Sequence, residues 1–350
     1  MNHREVNLRA LQNGCPTRRA VLKAAATTLA GLAAAPVLGS GKAATGMRPR
    51  PQSSRPTTSQ AVAPWWVTEV TSRARVVEVT SPHVFRGIMV DSSVIGEMLD
   101  LGMQSLTGAR SLSEAWRAVL GPAKRVVVKF NHVGAEVLRT NPPLAERIIT
   151  SLGEAGYADE DVTLVEAGTQ VRMELGVCAP EPGWGGAVPV GRSSTELANY
   201  LYAADAIINV SLLKTHEIAG MSGAMKNISH GVIRHPARFH DNACSPYVGQ
   251  LIGHPEISRR LRLNIVNGLR AVLRNGPDAN PCDVLPLGQM LFGLDPVAVD
   301  ACGQEVLIAE RRKCGIVGDL RVPYLDSAGA MGVGRRQPHE VERVPVRHGG

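Results

Sequence analysis

The chain has 350 residues, is 44% hydrophobic and has a formal net charge of +7. That length can bury a sizeable core, as one large domain or two modest ones. The basic charge invites a nucleic-acid reading, yet nine Lys/Arg and one acid fall between Met1 and Arg55, leaving 29 basic against 30 acidic residues. With aromatics at 4%, base-stacking platforms are scarce too, so nucleic acid is disfavoured as a partner.

The N-terminus reads as an address. A polar stretch to Pro16 is followed by Thr17-Arg18-Arg19-Ala20-Val21-Leu22-Lys23 and an Ala-rich apolar run from Ala24 to Leu38. This resembles a twin-arginine export signal over residues 1–45, with cleavage expected between Ala35 and Thr45. It is too short and too Ala-rich for a stable transmembrane span. The expected location is periplasmic or extracellular, and the expected partner is the twin-arginine export machinery, which carries folded proteins. Residues 46–64, rich in Pro, Ser, Thr and Arg, read as a flexible linker.

Residues 65–330 form the body. Strands are predicted at Val76–Val79, Gly87–Val90, Val126–Phe130, Val162–Val165, Ala206–Val210, Arg262–Val266 and Met290–Gly293. Helices are predicted at Ser92–Leu106, Pro143–Ala155, Glu196–Tyr202 and Asp295–Ala309, the first capped by Ser92 or Ser93. Gly168–Gly191 and Asn275–Pro286 read as Gly/Pro-rich excursions, and residues 331–350 as a polar tail. The alternation predicts an α/β fold: a mostly parallel sheet with helices on both faces, a Rossmann-like layered sandwich. Of six cysteines, none is in a C-x-x-C pair. They read mostly as small core residues, with one disulfide open in an oxidising compartment.

In such sheets ligands sit outside the carboxyl ends of the strands. Asn131 and His132 follow one predicted strand, Lys214, Thr215 and His216 another, Asn267 a third and Asp295 a fourth. Five of the ten histidines lie between His216 and His254. Lys129, Asn131, Thr215, Lys226 and Asn227 are donors suited to an anion, carboxylate or phosphate. Lys214, His216 and His240 are the candidate catalytic groups, since imidazole both titrates near neutrality and binds transition metals. Asp295, Asp300 and Asp91 are candidate oxygen ligands for a metal. Each has a structural alternative: a lone lysine snorkels or caps a helix end, a lone histidine is a satisfied core residue, and Asp91 and Asp295 read equally as N-caps. No G-x-S-x-G elbow, Walker loop or H-E-x-x-H is present.

Five segments together resemble the family catalogued as domain of unknown function 362. They are V-V-V-K-F-N (Val126–Asn131), Thr140-Asn141-Pro142-Pro143, A-D-A-I-I-N-V-S-L-L-K-T-H (Ala204–His216), G-A-M-K-N (Gly223–Asn227) and L-F-G-L-D-P-V-A-V-D (Leu291–Asp300). The resemblance covers roughly residues 75 to 310. Some members of that family carry an iron–sulfur segment; this chain lacks its cysteine spacing, so no iron–sulfur cluster is expected. The family's layout is similar to that of nickel-pincer lactate racemases, which set Lys and His around an organometallic cofactor. The expectation is an exported, metal- or cofactor-dependent enzyme acting on a small anionic substrate, the alternative being a non-catalytic periplasmic binding or delivery protein.

Overall fold

The computed structural model describes residues 63–69 and 73–349; the segment expected to be a twin-arginine leader and nearly all of the expected linker lie outside the described residues. An eight-stranded sheet runs through the protein in the order β12-β1-β11-β10-β8-β4-β5, with β9 paired to β8. These strands are β1 (Ala74–Thr80), β4 (Val126–Lys129), β5 (Val162–Val165), β8 (Ala206–His216), β9 (Gly220–Ser222), β10 (Leu261–Val272), β11 (Val284–Gly293) and β12 (Val341–Arg347). Two small hairpins complete the set, β2/β3 (Phe85–Arg86 with Met89–Val90) and β6/β7 (Trp184–Val190 with Ser193–Ala198). Pairing is parallel for β12–β1, β10–β8, β8–β4 and β4–β5, and antiparallel around β11 and β9. The α/β class, mostly parallel, is as expected.

Side-chain alternation builds two cores. Val126 and Val128 of β4, and Ala206, Ile208 and Val210 of β8, point into one core. Helices α1 (Ser92–Thr107), α2 (Leu112–Leu120) and α3 (Asn141–Glu154) cover it. Val127 and Ile207 point the other way, under α4 (Ala224–Ser229), α5 (Tyr247–Gly253), α6 (Pro296–Lys313) and α7 (Pro323–Ala330). Period-two alternation of short apolar runs is what a sheet covered on both faces requires. Each fully buried Val, Ile or Leu contributes roughly 1.5–3 kcal/mol.

The structure departs from expectation in several places. The predicted Ala206–Val210 strand continues to His216, because β9 folds back to pair Lys214 with Ser222, Thr215 with Met221 and His216 with Gly220. Lys214, Thr215 and His216 are thus strand residues, not loop residues. The Gly168–Gly191 excursion contains β6, and the predicted Glu196–Tyr202 helix is the end of β7 followed by a short helix, Asn199–Ala203. Helix α2, capped by the Ser111 side chain on the Glu114 N–H, was not predicted. Beyond Gly332 the chain is not merely a tail, since β12 forms the sheet's edge against β1. Finally, β11 runs antiparallel to β10, with Gly293 opposite Asn264 and Val284 opposite Val272. Its carboxyl end therefore leads away from the rim where β4, β5, β8 and β10 finish. That removes Asp295 from the predicted strand-end cluster.

Candidate functional site

Register lines up the first polar row. Lys129 on β4 pairs with Asn209 on β8, which pairs with Asn264 on β10, and all three side chains are buried. Across them lies α4, whose Asn227 amide donates to Asn209 Oδ1 at 2.8 Å while its oxygen accepts from Lys129 Nζ at 3.0 Å. Asn209 Nδ2 donates to Asn264 Oδ1 at 2.8 Å. Buried amides in such a chain are each satisfied, so the row fixes where Lys129 sits. Helix α4 is held in turn by Asp300, which accepts from the Ala224 and Met225 N–H groups at 2.6 and 2.9 Å. Burial pushes the Asp300 carboxyl up to about 7 against those two N–H groups. Gly223 is required there, because a Cβ would stand 2.3 Å from Asp300 Oδ1.

Asn131 joins this row to the second lysine. Its Nδ2 donates to Asn227 Oδ1 at 3.2 Å, and its Oδ1 accepts from Lys214 Nζ at 3.0 Å. Lys214 also donates to the Val133 carbonyl. The Thr140-Asn141 pair supports this corner, with Asn141 donating to the Asn131 carbonyl at 2.9 Å and Asn267 donating to Thr140 Oγ1 at 2.9 Å. Lys214 is buried, and burial pushes its ammonium down to about 7 despite Asp278 and Glu166 nearby.

The third lysine meets the imidazoles. Lys226 Nζ lies 3.0 Å from His240 Nε2 and 3.4 Å from Cys244 Sγ. His240 stacks on His216 with centroids 5.5 Å apart, and His230 meets it edge-on at 5.0 Å. Carbonyls accept only, so the ring nitrogens facing them carry the proton: His240 Nδ1 donates to the Pro236 carbonyl and His230 Nε2 to the Phe239 carbonyl. That leaves His240 Nε2 and His230 Nδ1 as lone pairs. His216 is opposite in sense, its Nδ1 facing the N–H groups of Ile218 and Ala219, so the neutral ring carries its proton on Nε2. Burial, then the charge of Lys226, pushes both His216 and His230 down to about 3. Asn242, Ala243 and Cys244 are all left-handed, with φ of 51°, 53° and 66°. Three such non-glycine residues in succession are costly and persist only where the surroundings over-determine them.

One carboxylate enters the cluster. Glu166, just past β5, places Oε2 2.7 Å from His132 Nδ1 and 3.3 Å from Lys129 Nζ. Burial opposes its ionisation, but the Lys129 charge and the His132 bond hold it down at about 2. His132 is the exception among the site's imidazoles, raised by its bond to Glu166.

The predicted residues therefore fall in two adjoining sets, Lys129, Asn131, Lys214 and Asn227 in one and Lys226, His216 and His240 in the other, which meet where Lys226 and Asn227 are neighbours on α4, with Thr215 buried nearby. The three aspartates join neither. Asp91 caps α1 through the Ser93 N–H and pairs with Arg86, Asp295 caps α6 and accepts from the Arg335 N–H, and Asp300 anchors α4 from behind. Among the described residues, His230, His240 and Cys244 offer ligand atoms all within 4.8 Å of one another. Two imidazoles with their outer N–H groups fixed on carbonyls, and a thiol, make a set suited to a borderline transition metal such as zinc, nickel or cobalt. Sequence reasoning missed Glu166, His230 and Cys244. The strand-end rule, applied to Val162–Val165, points straight at Glu166; nothing local singles out Cys244.

Residues 181–305 match the family model described as Domain of unknown function (DUF362). Comparison with curated proteins finds no match. Among solved structures, the chain is similar to the lactate racemase apoprotein from Thermoanaerobacterium thermosaccharolyticum at 10% identity and a TM-score of 0.33. The likeness covers 67% of this chain and 57% of that one, so the chain spans little more than half of the solved protein's length.

Proposed function

We propose that this chain is an exported, metal-dependent enzyme that binds a small carboxylate- or phosphate-bearing substrate at the Lys129–Lys214–Lys226 cluster. One observation carries the reading: three lysines are buried close together, Lys129 and Lys214 joined through Asn131 and Asn227 and Lys226 beside them on α4, with Glu166 on Lys129 and Asp278 near Lys214 as the nearby carboxylates. Buried cations outnumbering their anions shift towards neutrality, and Lys129, Lys214 and Lys226 are all pushed down by burial. A bound oxyanion supplies the missing charge. His216, neutral with its proton on Nε2, donates a hydrogen bond to such a ligand, while His132 on Glu166 accepts a proton. A metal at His230, His240 and Cys244 supplies a Lewis acid; there Lys226 must lose its proton or swing aside, since its ammonium approaches the same atoms. Export is supported by Arg18-Arg19 and the Ala-rich run after it.

The test combines metal analysis of the chain purified from an exporting host with calorimetry against oxalate, acetate and inorganic phosphate. Wild type is expected to hold a stoichiometric transition metal and to bind at least one oxyanion. Folded Lys214→Met/His216→Ala/Lys226→Met protein is expected to lose that binding, and its retention would sink the proposal.

A further inference from the structure

A second basic hollow adjoins this site. A cavity of about 460 Å³ is lined by Thr215 and His216 at the end of β8, Ala243 of the left-handed turn, Arg274 to Gly276, Arg311 of α6 and Arg321. It shares Arg311, Leu320 and Arg321 with a neighbouring cavity of about 480 Å³ that also takes Ile308, Ile316 and Val322. Three arginines face two acids, Glu217 and Asp319.

Two features distinguish it from an ordinary surface groove. Arg311 is partly buried and held by carbonyls, donating to Leu273 at 2.6 Å and Gly318 at 3.5 Å, and burial lowers its pKa. A guanidinium clamped by carbonyls keeps its charge and its remaining donors for something else. Lining the same cavity, Thr215 has its side-chain oxygen buried with no hydrogen-bond partner among the described residues, although buried hydroxyls are normally paired. Gly276 packs directly on Thr215: a Cβ there would stand 1.9 Å from the Thr215 carbonyl oxygen and 3.1 Å from its hydroxyl. Arg274 is fixed by Asp283 at 2.8 Å, whereas Arg321 is exposed, with Asp319 at 3.6 Å.

We propose that this cavity is an oxyanion subsite, in which Arg311, Arg321 and the Thr215 hydroxyl take a phosphate or carboxylate group. His216 lines it and stacks on His240, which lies 3.0 Å from Lys226 Nζ, so the subsite adjoins the lysine cluster through one imidazole pair. Resting on the function proposed above, the substrate class follows: a small organic molecule with two anionic groups, one at each end.

The experiment is amide-resolved NMR of the full chain titrated at low ionic strength with inorganic phosphate, acetate and succinate. Phosphate is expected to shift the amides of Ile218, Asn275 and Gly276, and succinate to bind tighter than acetate. Thr215→Val, which removes an unpaired hydroxyl, should leave folding intact and weaken the subsite about tenfold, as should Arg321→Ala. Lys214→Met should leave those shifts in place. Shifts confined to Asn131 and Gly231 would overturn the subsite and spare the lysine cluster. Subsite shifts with equal succinate and acetate affinity would overturn the two-anion class. No shift at all, or Thr215→Val binding like wild type, would overturn the subsite.

Discussion

Lys129 Nζ and Asn227 Oδ1 stand 3.0 Å apart although 98 residues separate them in sequence. The same ammonium donates to the Phe130 carbonyl at 3.0 Å and lies 3.3 Å from Glu166. A buried lysine satisfied by three fixed acceptors belongs to the fold as much as to the site, and its removal should be felt in stability.

Lys129→Met leaves the Asn227 oxygen with the Asn131 amide alone and Glu166 without its main counter-charge. The expected loss is about 3 kcal/mol in urea denaturation. Adding Glu166→Gln should recover part of that loss, because the uncompensated carboxylate goes with it. A strictly additive double mutant would show that the two groups do not interact.

Stability should also rise with pH above neutrality. Lys214 is pushed from its ordinary 10.5 down to about 7 by burial. Between those values the unfolded chain holds a proton that the native state has shed, so unfolding becomes harder as pH increases. Below 7 both states are protonated and the whole burial penalty remains. Lys129 and Lys226 are pushed the same way. The urea midpoint should therefore climb from about pH 7 to about pH 8.5, short of the thiol range. The climb should be shallower in Lys214→Met and with saturating phosphate, which restores the lysine's charge.

Cobalt(II) gives a direct view of the metal centre. A thiolate-to-cobalt absorption band is expected on titration, absent in Cys244→Ser and weakened in His240→Ala. Lys226→Gln removes the cation 3.0 Å from His240 Nε2 and should tighten cobalt binding by about tenfold. Unchanged affinity in that variant would place the metal elsewhere.

Gly223→Ala tests the clasp beneath α4. Its Cβ would sit 2.3 Å from Asp300 Oδ1 and 2.9 Å from the Met221 side chain. Overpacking of this kind costs about 1–3 kcal/mol. Because α4 carries Lys226 and Asn227, phosphate affinity should fall along with the melting temperature.

Much of the site was legible because strand ends are legible: short apolar runs end at Lys129-Phe130-Asn131, and the Gly-spaced segment Gly220 to Gly231 brackets Lys226 and Asn227. Asp300 reads as a candidate ligand from sequence, yet its neighbours in space are the N–H groups of Ala224 and Met225. Cys244 looked like a core thiol, which its full burial matches, while its nearness to His230 and His240 depends on a left-handed turn that local propensity disfavours.

Sequence by itself determined the α/β class, the helices on both faces and the lysine, asparagine and histidine set, because period and composition are local properties. The tertiary structure decided which groups meet. Antiparallel β11 carries Asp295 away from the rim, β9 extends β8 to His216, and the turn at Cys244 brings a thiol beside two imidazoles. Strand direction and pairing are set by contacts between segments distant in the chain, and no local pattern encodes them.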